Sequence, residues 1–204
     1  MWKRTSLIGA GALVVLAIST GCSASNEPEH PAGHTSSSSA AAAPTSAGAE
    51  AHNDADVMFA QHMIPHHQQA IEMSDMLLGK QGIDPRVVQL ANQIKAAQGP
   101  EIQQMQGWLT EWGTSAMPPM SGHDMPSMQG MMSDADMTAL QNAQAVEASK
   151  LFLTQMIAHH EGAITMAQTE IKDGQYPHAV ELAHAIATTQ QQEIDTMKTI
   201  LATL

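Results

Sequence analysis

The sequence predicts an all-α chain: four long helices, paired as two hairpins in a four-helix bundle. Three observations predict it. Apolar residues recur at helical spacing through 54–112 and 147–203, no stretch sustains the alternation of a strand, and the two stretches repeat each other. "FAQHMIPHHQQAIEM" pairs with "FLTQMIAHHEGAITM", and "LANQIKAAQGPEIQQM" pairs with "LAHAIATTQQQEIDTM". The offset is 93 residues from His66 to His159 and 92 from Glu101 to Glu193, so one residue is lost in a turn. Two units are too few for a solenoid, and duplicated antiparallel hairpins suit a bundle.

Ahead of the first repeat stands "MWKRTSLIGAGALVVLAISTGC". Lys3 and Arg4 precede an apolar run from Leu7 to Ile18, and small residues then lead to Cys22. That is the pattern of a secretory signal over 1–21, and the run is short for a membrane span. Cys22 is the one cysteine, so no intramolecular disulfide forms. Ser19-Thr20-Gly21-Cys22 resembles a bacterial lipobox, which makes Cys22 the expected lipidation site and the outer face of the cell membrane the expected location. Residues 22–51 are rich in Ser, Ala, Pro and Gly and read as a disordered tether, with a reach on the order of 30 Å. Residues 52–204 then suit one domain. Cleavage removes Lys3 and Arg4 and shifts the formal charge from −12 to −14. So acidic a chain disfavours nucleic acid and anionic membrane surfaces, and is compatible with cations.

Within the first repeat, Asp54 is the expected cap of helix one, with Gly79 or Gly82 at its end. Asp84-Pro85 opens helix two, with Pro at the first helical position, and Gly113 closes it. Pro65 and Pro100 fall inside these helices, and kinks are expected there. Ser133, Asp134 and Asp136 begin a further helical segment, either short or continuous with helix three. Gly174 and Pro177 mark the turn of the second hairpin.

A helical wheel then places the polar residues. With Phe59 at 0° and about 100° per residue, Met63, His66, Ala70 and Met73 share the apolar stripe, and His67 falls at its edge, near 80°. Met156, His159, Ala163 and Met166 repeat the layout, with His160 at the edge. On the partner helices Glu101 and Glu193 lie on the apolar face. The expectation is one inner His and one inner Glu per repeat, so that His66, His159, Glu101 and Glu193 meet in one core layer. Buried ionic groups are costly unless paired. Either each His bonds a Glu as a structural layer, or the same atoms hold a metal, with Met63 and Met156 nearby. Core packing is the first role of those two methionines.

The linker, 113–137, carries the other candidate ligands. Seven of the 16 Met stand in "MPPMSGHDMPSMQGMMSDADM". Thioethers favour Cu(I), and imidazole also accepts Cu(II). Met117, Met120, His123, Met125 and Met128 therefore join the metal candidates, against the plainer reading of Met as gap-filler over the bundle.

The doubled "MIPHHQQAIEM" and "MIAHHEGAITMA", each followed by Q-x-x-E-I-x-x-M, resemble the bacterial family catalogued as domain of unknown function 305, over essentially all of 54–204. The resemblance implies a ferritin-like four-helix fold and export, often as a lipoprotein. Some members bind copper in the periplasm and are linked to copper resistance, so it implies copper as the leading ligand. A ferritin-like di-iron centre is disfavoured, because the one Glu-x-x-His within the two repeats, Glu181 with His184, points away from the apolar face. No nucleophile constellation or phosphate loop is present. Three readings follow: an anchored protein that sequesters or delivers copper, a metal-free interaction lipoprotein with a structural His–Glu layer, and, third, a metal oxidase. A homo-oligomer is left open.

Overall fold

The computed structural model describes residues 51–115 and 129–204. Cys22, Met117, Met120, His123, Met125 and Met128 lie outside these residues. The described residues form five helices and no strand: α1 (Asp54–Leu78), α2 (Pro85–Glu111), α3 (Asp134–Asn142), α4 (Ala145–Asp173) and α5 (Pro177–Leu201). Helices α1 and α2 pack as one hairpin, α4 and α5 as another, and the hairpins meet chiefly through α1 against α4. Among the described residues no helix is long and apolar enough to cross a membrane.

The helix ends follow from local chemistry. Asn53, rather than Asp54, caps α1: its side chain accepts from the Ala55 and Asp56 amides, and Asp56 bonds back to the Asn53 N–H. Asn and Asp are comparable caps, but only Asn53 has a carboxylate three residues on to complete the box. Asp84 caps α2 with Pro85 in its first turn. Both α1 and α2 stay helical through Pro65 and Pro100. The segment at Ser133 is the short helix α3, capped by a Ser133–Asp136 box and separate from α4.

Two buried polar residues lock one hairpin to the other by pseudo-symmetry. Asp56 on α1 accepts from the Gln175 and Tyr176 amides at the α4–α5 turn, at 3.0 and 2.9 Å. Its repeat equivalent on α4, Ser149, accepts from the Asp84 amide at the α1–α2 turn, at 3.5 Å. Each long helix thus satisfies an orphan N–H at the start of the other hairpin's second helix. Asp56 also faces the buried Glu170 of α4. Burial, then the Asp56 carboxylate, pushes the Glu170 carboxyl up to about 8. Burial alone would raise the Asp56 carboxyl too, but the donors around it pull it below its usual value.

The apolar core is divided in two. One cluster contains Phe59, Met63, Ile102, Met105, Trp108, Ala163 and Ile186. The other contains Ala70, Met73, Leu77, Ile94, Phe152, Met156, Ile194 and Met197. Each large side chain contributes roughly 1.5–3 kcal/mol by burial. The changeover falls between Ile64 and Ala70 on α1, Ile94 and Ile102 on α2, Met156 and Ala163 on α4, and Ile186 and Ile194 on α5. Both His-His pairs and both Gln-x-x-Glu motifs occupy that gap.

Candidate metal centre

The gap is a polar layer across the middle of the fold. His66, His67, His159 and His160 are all fully buried, each at 0 % exposure. The His66 and His159 rings lie against each other, with centroids 3.7 Å apart and planes at 39°. These two imidazoles come from α1 and α4 and meet at the hairpin–hairpin contact, as their central wheel positions require.

The carboxylates do not go where the wheel suggests. Glu101 accepts from His67 Nε2 at 2.7 Å, and Glu193 accepts from His160 Nε2 at 2.7 Å. The expectation that His66 and His159 take the glutamates is therefore corrected: the second His of each pair does. The reason is geometric. The centre of the α1 stripe faces α4 across the pseudo-twofold, whereas the stripe's edge faces α2 within the hairpin, and Glu101 is on α2. The glutamate side chains also keep 20 % and 14 % exposure, so they sit at the rim of the layer, not at its centre.

His66 has a different acceptor. Its Nε2–H donates to the carbonyl of Gln129, which stands within the Met-rich linker, at 3.2 Å. Burial, then the neighbouring His67, pushes the His66 imidazole down to about 3. His159 is held well below its usual value by burial, then by His66, His160 and His67. Both rings are therefore neutral at ordinary pH. A neutral His66 with its proton on Nε2 leaves Nδ1 as a bare lone pair. The Nδ1 atoms of all four histidines are buried without a hydrogen-bond partner, and so is Nε2 of His159.

Two further residues join the layer that the sequence reading did not single out. Gln98 and its repeat equivalent Gln190 are buried; neither amide atom of Gln98 is bonded, nor is Oε1 of Gln190. Their signal was in the sequence, as the first residue of each Gln-x-x-Glu. Met63 and Met156 are fully buried, and they belong to different apolar clusters, one on each side of the layer. Among the described residues no three His, Cys, Asp or Glu side chains are grouped to hold a metal ion. What the layer offers is a pair of touching neutral imidazoles with free nitrogens, flanked by two imidazoles oriented by carboxylates. Such lone pairs suit a soft or borderline metal ion.

Comparison with known proteins shows relatives of the sequence and of its helical fold. Residues 56–201 match the family described as "Domain of unknown function (DUF305)". The chain is similar to a DUF305 fragment from Deinococcus radiodurans at 33 % identity, with a TM-score of 0.68, covering 74 % of this chain and 98 % of that one. It is similar to a DUF305 protein from Streptomyces coelicolor, described as secreted, at 34 % identity and TM-score 0.66, over 72 % of this chain and 92 % of that one. It is also similar to CopM, whose Cu(II)-bound form matches at 32 % identity and TM-score 0.64, over 72 % of this chain and 96 % of that one. CopM has been solved with Cu(I) and with silver as well. No curated protein matches the sequence. The doubled His-His hairpin, the helical architecture and the match over 56–201 together place this chain in the DUF305 family.

Proposed function

We propose that this protein is an exported lipoprotein that binds copper as cargo, for sequestration or delivery, and that the buried histidine layer is its core site. One observation carries the reading. Three of the four imidazoles donate Nε2–H to an oxygen acceptor, and all four keep a buried, unbonded Nδ1. Metal-ligating histidines have this form: one nitrogen fixed by an outer acceptor, the other bare for the metal. His66 and His159, whose rings touch, are then the ligands, with His67 and His160 beside them in the layer. Glu101 and Glu193 orient His67 and His160. Neutral imidazole suits both copper oxidation states, and thioether suits Cu(I). CopM, a relative with Cu(I)- and Cu(II)-bound forms, supports copper as the ion.

In this reading the two hairpins make a ferritin-like four-helix bundle, Cys22 carries the lipid anchor, and Met117, Met120, His123, Met125 and Met128 collect Cu(I) ahead of the core. Export is supported by the basic-then-apolar start and by the secreted Streptomyces relative.

A second reading leaves the layer metal-free. The His67–Glu101 and His160–Glu193 bonds are complete without an ion, and a buried polar layer between two apolar clusters can fix helix register. Anaerobic titration with Cu(I), and aerobic titration with Cu(II), separates the two. Copper binding that is lost in the His66→Ala/His159→Ala double variant supports the first. Wild-type binding in that variant, with lowered thermal stability, supports the second.

A further inference from the structure

Residues 129–132 cross the mouth of the histidine pair, and the two repeats have diverged at one position to hold them there. Gln69 and Gly162 each stand three residues after the first His of a pair, one in each repeat. Gln69 grips the crossing backbone on the α1 side: its Nε2 donates to the Met132 carbonyl at 2.9 Å, and its Oε1 accepts from the Met132 N–H at 2.7 Å. Gly162 admits the same segment on the α4 side. A Cβ there would lie 2.0 Å from the Gln129 carbonyl oxygen and 2.6 Å from the Gly130 Cα. Gly130 is equally constrained. Its φ of +84° is in the left-handed region, and a Cβ would come within 2.8 Å of the Ala158 carbonyl oxygen and the Gly162 Cα. Between these anchors the Gln129 carbonyl caps His66 Nε2.

We propose that residues 129–132 are a strap that closes the His66–His159 pair to solvent and fixes His66 with its proton on Nε2, with Gln69 as a releasable clamp and Gly162 as the seat. A glutamine in both repeats would leave no room for the backbone, and a glycine in both would leave no grip; the duplicated position does two jobs only because it diverged. The strap also makes the two rings unequal, since the Gln129 carbonyl caps His66 and not His159. As the strap is part of the Met-rich linker, release of the Gln69 clamp opens the pair on the side of that linker. This last role, as a gate for copper, rests on the copper reading above; the closure itself does not.

The test has a metal-free arm and a copper arm. Full-length metal-free protein, as wild type, Gln69→Ala and Gly162→Ala, is treated with diethyl pyrocarbonate, and labelling is read by peptide mass spectrometry. Exposed His184 serves as the internal reference. Loss of both clamp hydrogen bonds is expected to raise labelling of His66 and His159 on the order of tenfold relative to His184, with helix content unchanged. Should Gly162→Ala fail to fold, Gln69→Ala decides alone, since Gln69 is part-exposed and its removal clashes with nothing. Wild-type labelling in Gln69→Ala overturns the strap. In the copper arm, Cu(I) transfer to a chelator is expected to speed up in Gln69→Ala. Raised labelling with an unchanged transfer rate overturns the gate, and no copper binding by the wild type overturns the copper reading while the labelling result stands.

Discussion

His66 and His159 lie ring against ring at 3.7 Å, each fully buried and each held neutral, yet only His66 meets the Gln129 carbonyl. Two touching imidazolium ions would repel in a poorly solvated space, so the contact excludes charge on both rings at once, and burial keeps each of them neutral. Neutral rings with bare nitrogens are ligands in waiting.

Glu101→Ala and Glu193→Ala should each weaken copper binding about 10–100-fold, the usual effect of removing a carboxylate that orients a histidine of the site. Glu101→Gln should do less, because an amide oxygen still accepts from His67 Nε2–H. A chelator competition assay measures the order Ala, then Gln, then wild type. Equal affinities across that series would leave the glutamates with a structural role only.

Glu170 should contribute a fall in stability as pH rises between about 4.5 and 8, opposite in sign to the contribution of His66 and His159, whose lowered folded values make stability rise with pH up to about 6.5. The Glu170 carboxyl is raised to about 8 in the fold, so over that window the native state holds a proton that the unfolded chain has lost. The favourable contribution is complete below the unfolded value and diminishes as pH rises towards the folded one. Glu170→Gln, which cannot ionise, should remove this contribution, so that the stability difference between wild type and variant shrinks from pH 5 to pH 8 in urea melts at pH 5, 6, 7 and 8. A slope as steep as the wild type's in the variant would assign the effect elsewhere.

Gly174→Ala should destabilise by roughly 1–3 kcal/mol, the scale of overpacking a tight site. The φ of Gly174 is −70°, so backbone strain is not the cause. A Cβ there would stand 2.3 Å from Glu170 Oε1 and 2.7 Å from the Glu170 carbonyl oxygen. Thermal melts measure the loss, and the Glu170→Ala background should relieve part of it.

Removing residues 117–128 should lower the copper stoichiometry while leaving a core equivalent that still depends on His66 and His159. That segment lies outside the described residues, so metal analysis of the loaded deletion variant is the direct check. Complete loss of binding would move the whole site into the linker.

Much of this arrangement was legible in the sequence. The 93-residue repeat and the helical spacing of apolar residues are local signals, and they placed the long helices and put His66 and His159 on the inner stripe. The choice of partner for each His was not legible. A wheel drawn for one helix says how far a residue stands from the stripe's centre, but not which neighbour covers the centre and which the edge. His67 at the edge meets Glu101 because α2 lies there; His66 at the centre meets His159 because α4 does. Gln129 was beyond reach of any periodicity, since its carbonyl meets His66 only through the path of a connection 63 residues away in sequence. Gln69 and Gly162 carried a faint signal, as unlike residues at equivalent places in otherwise similar repeats.

The central claim is that copper is held by the buried histidine pair. Its most direct test is anaerobic Cu(I) titration of the metal-free protein, followed through the imidazole nitrogens by long-range proton–nitrogen NMR. The account predicts that the Nδ1 resonances of His66 and His159 shift on binding, while those of exposed His184 do not. Copper bound with the His66 and His159 resonances unmoved would contradict it.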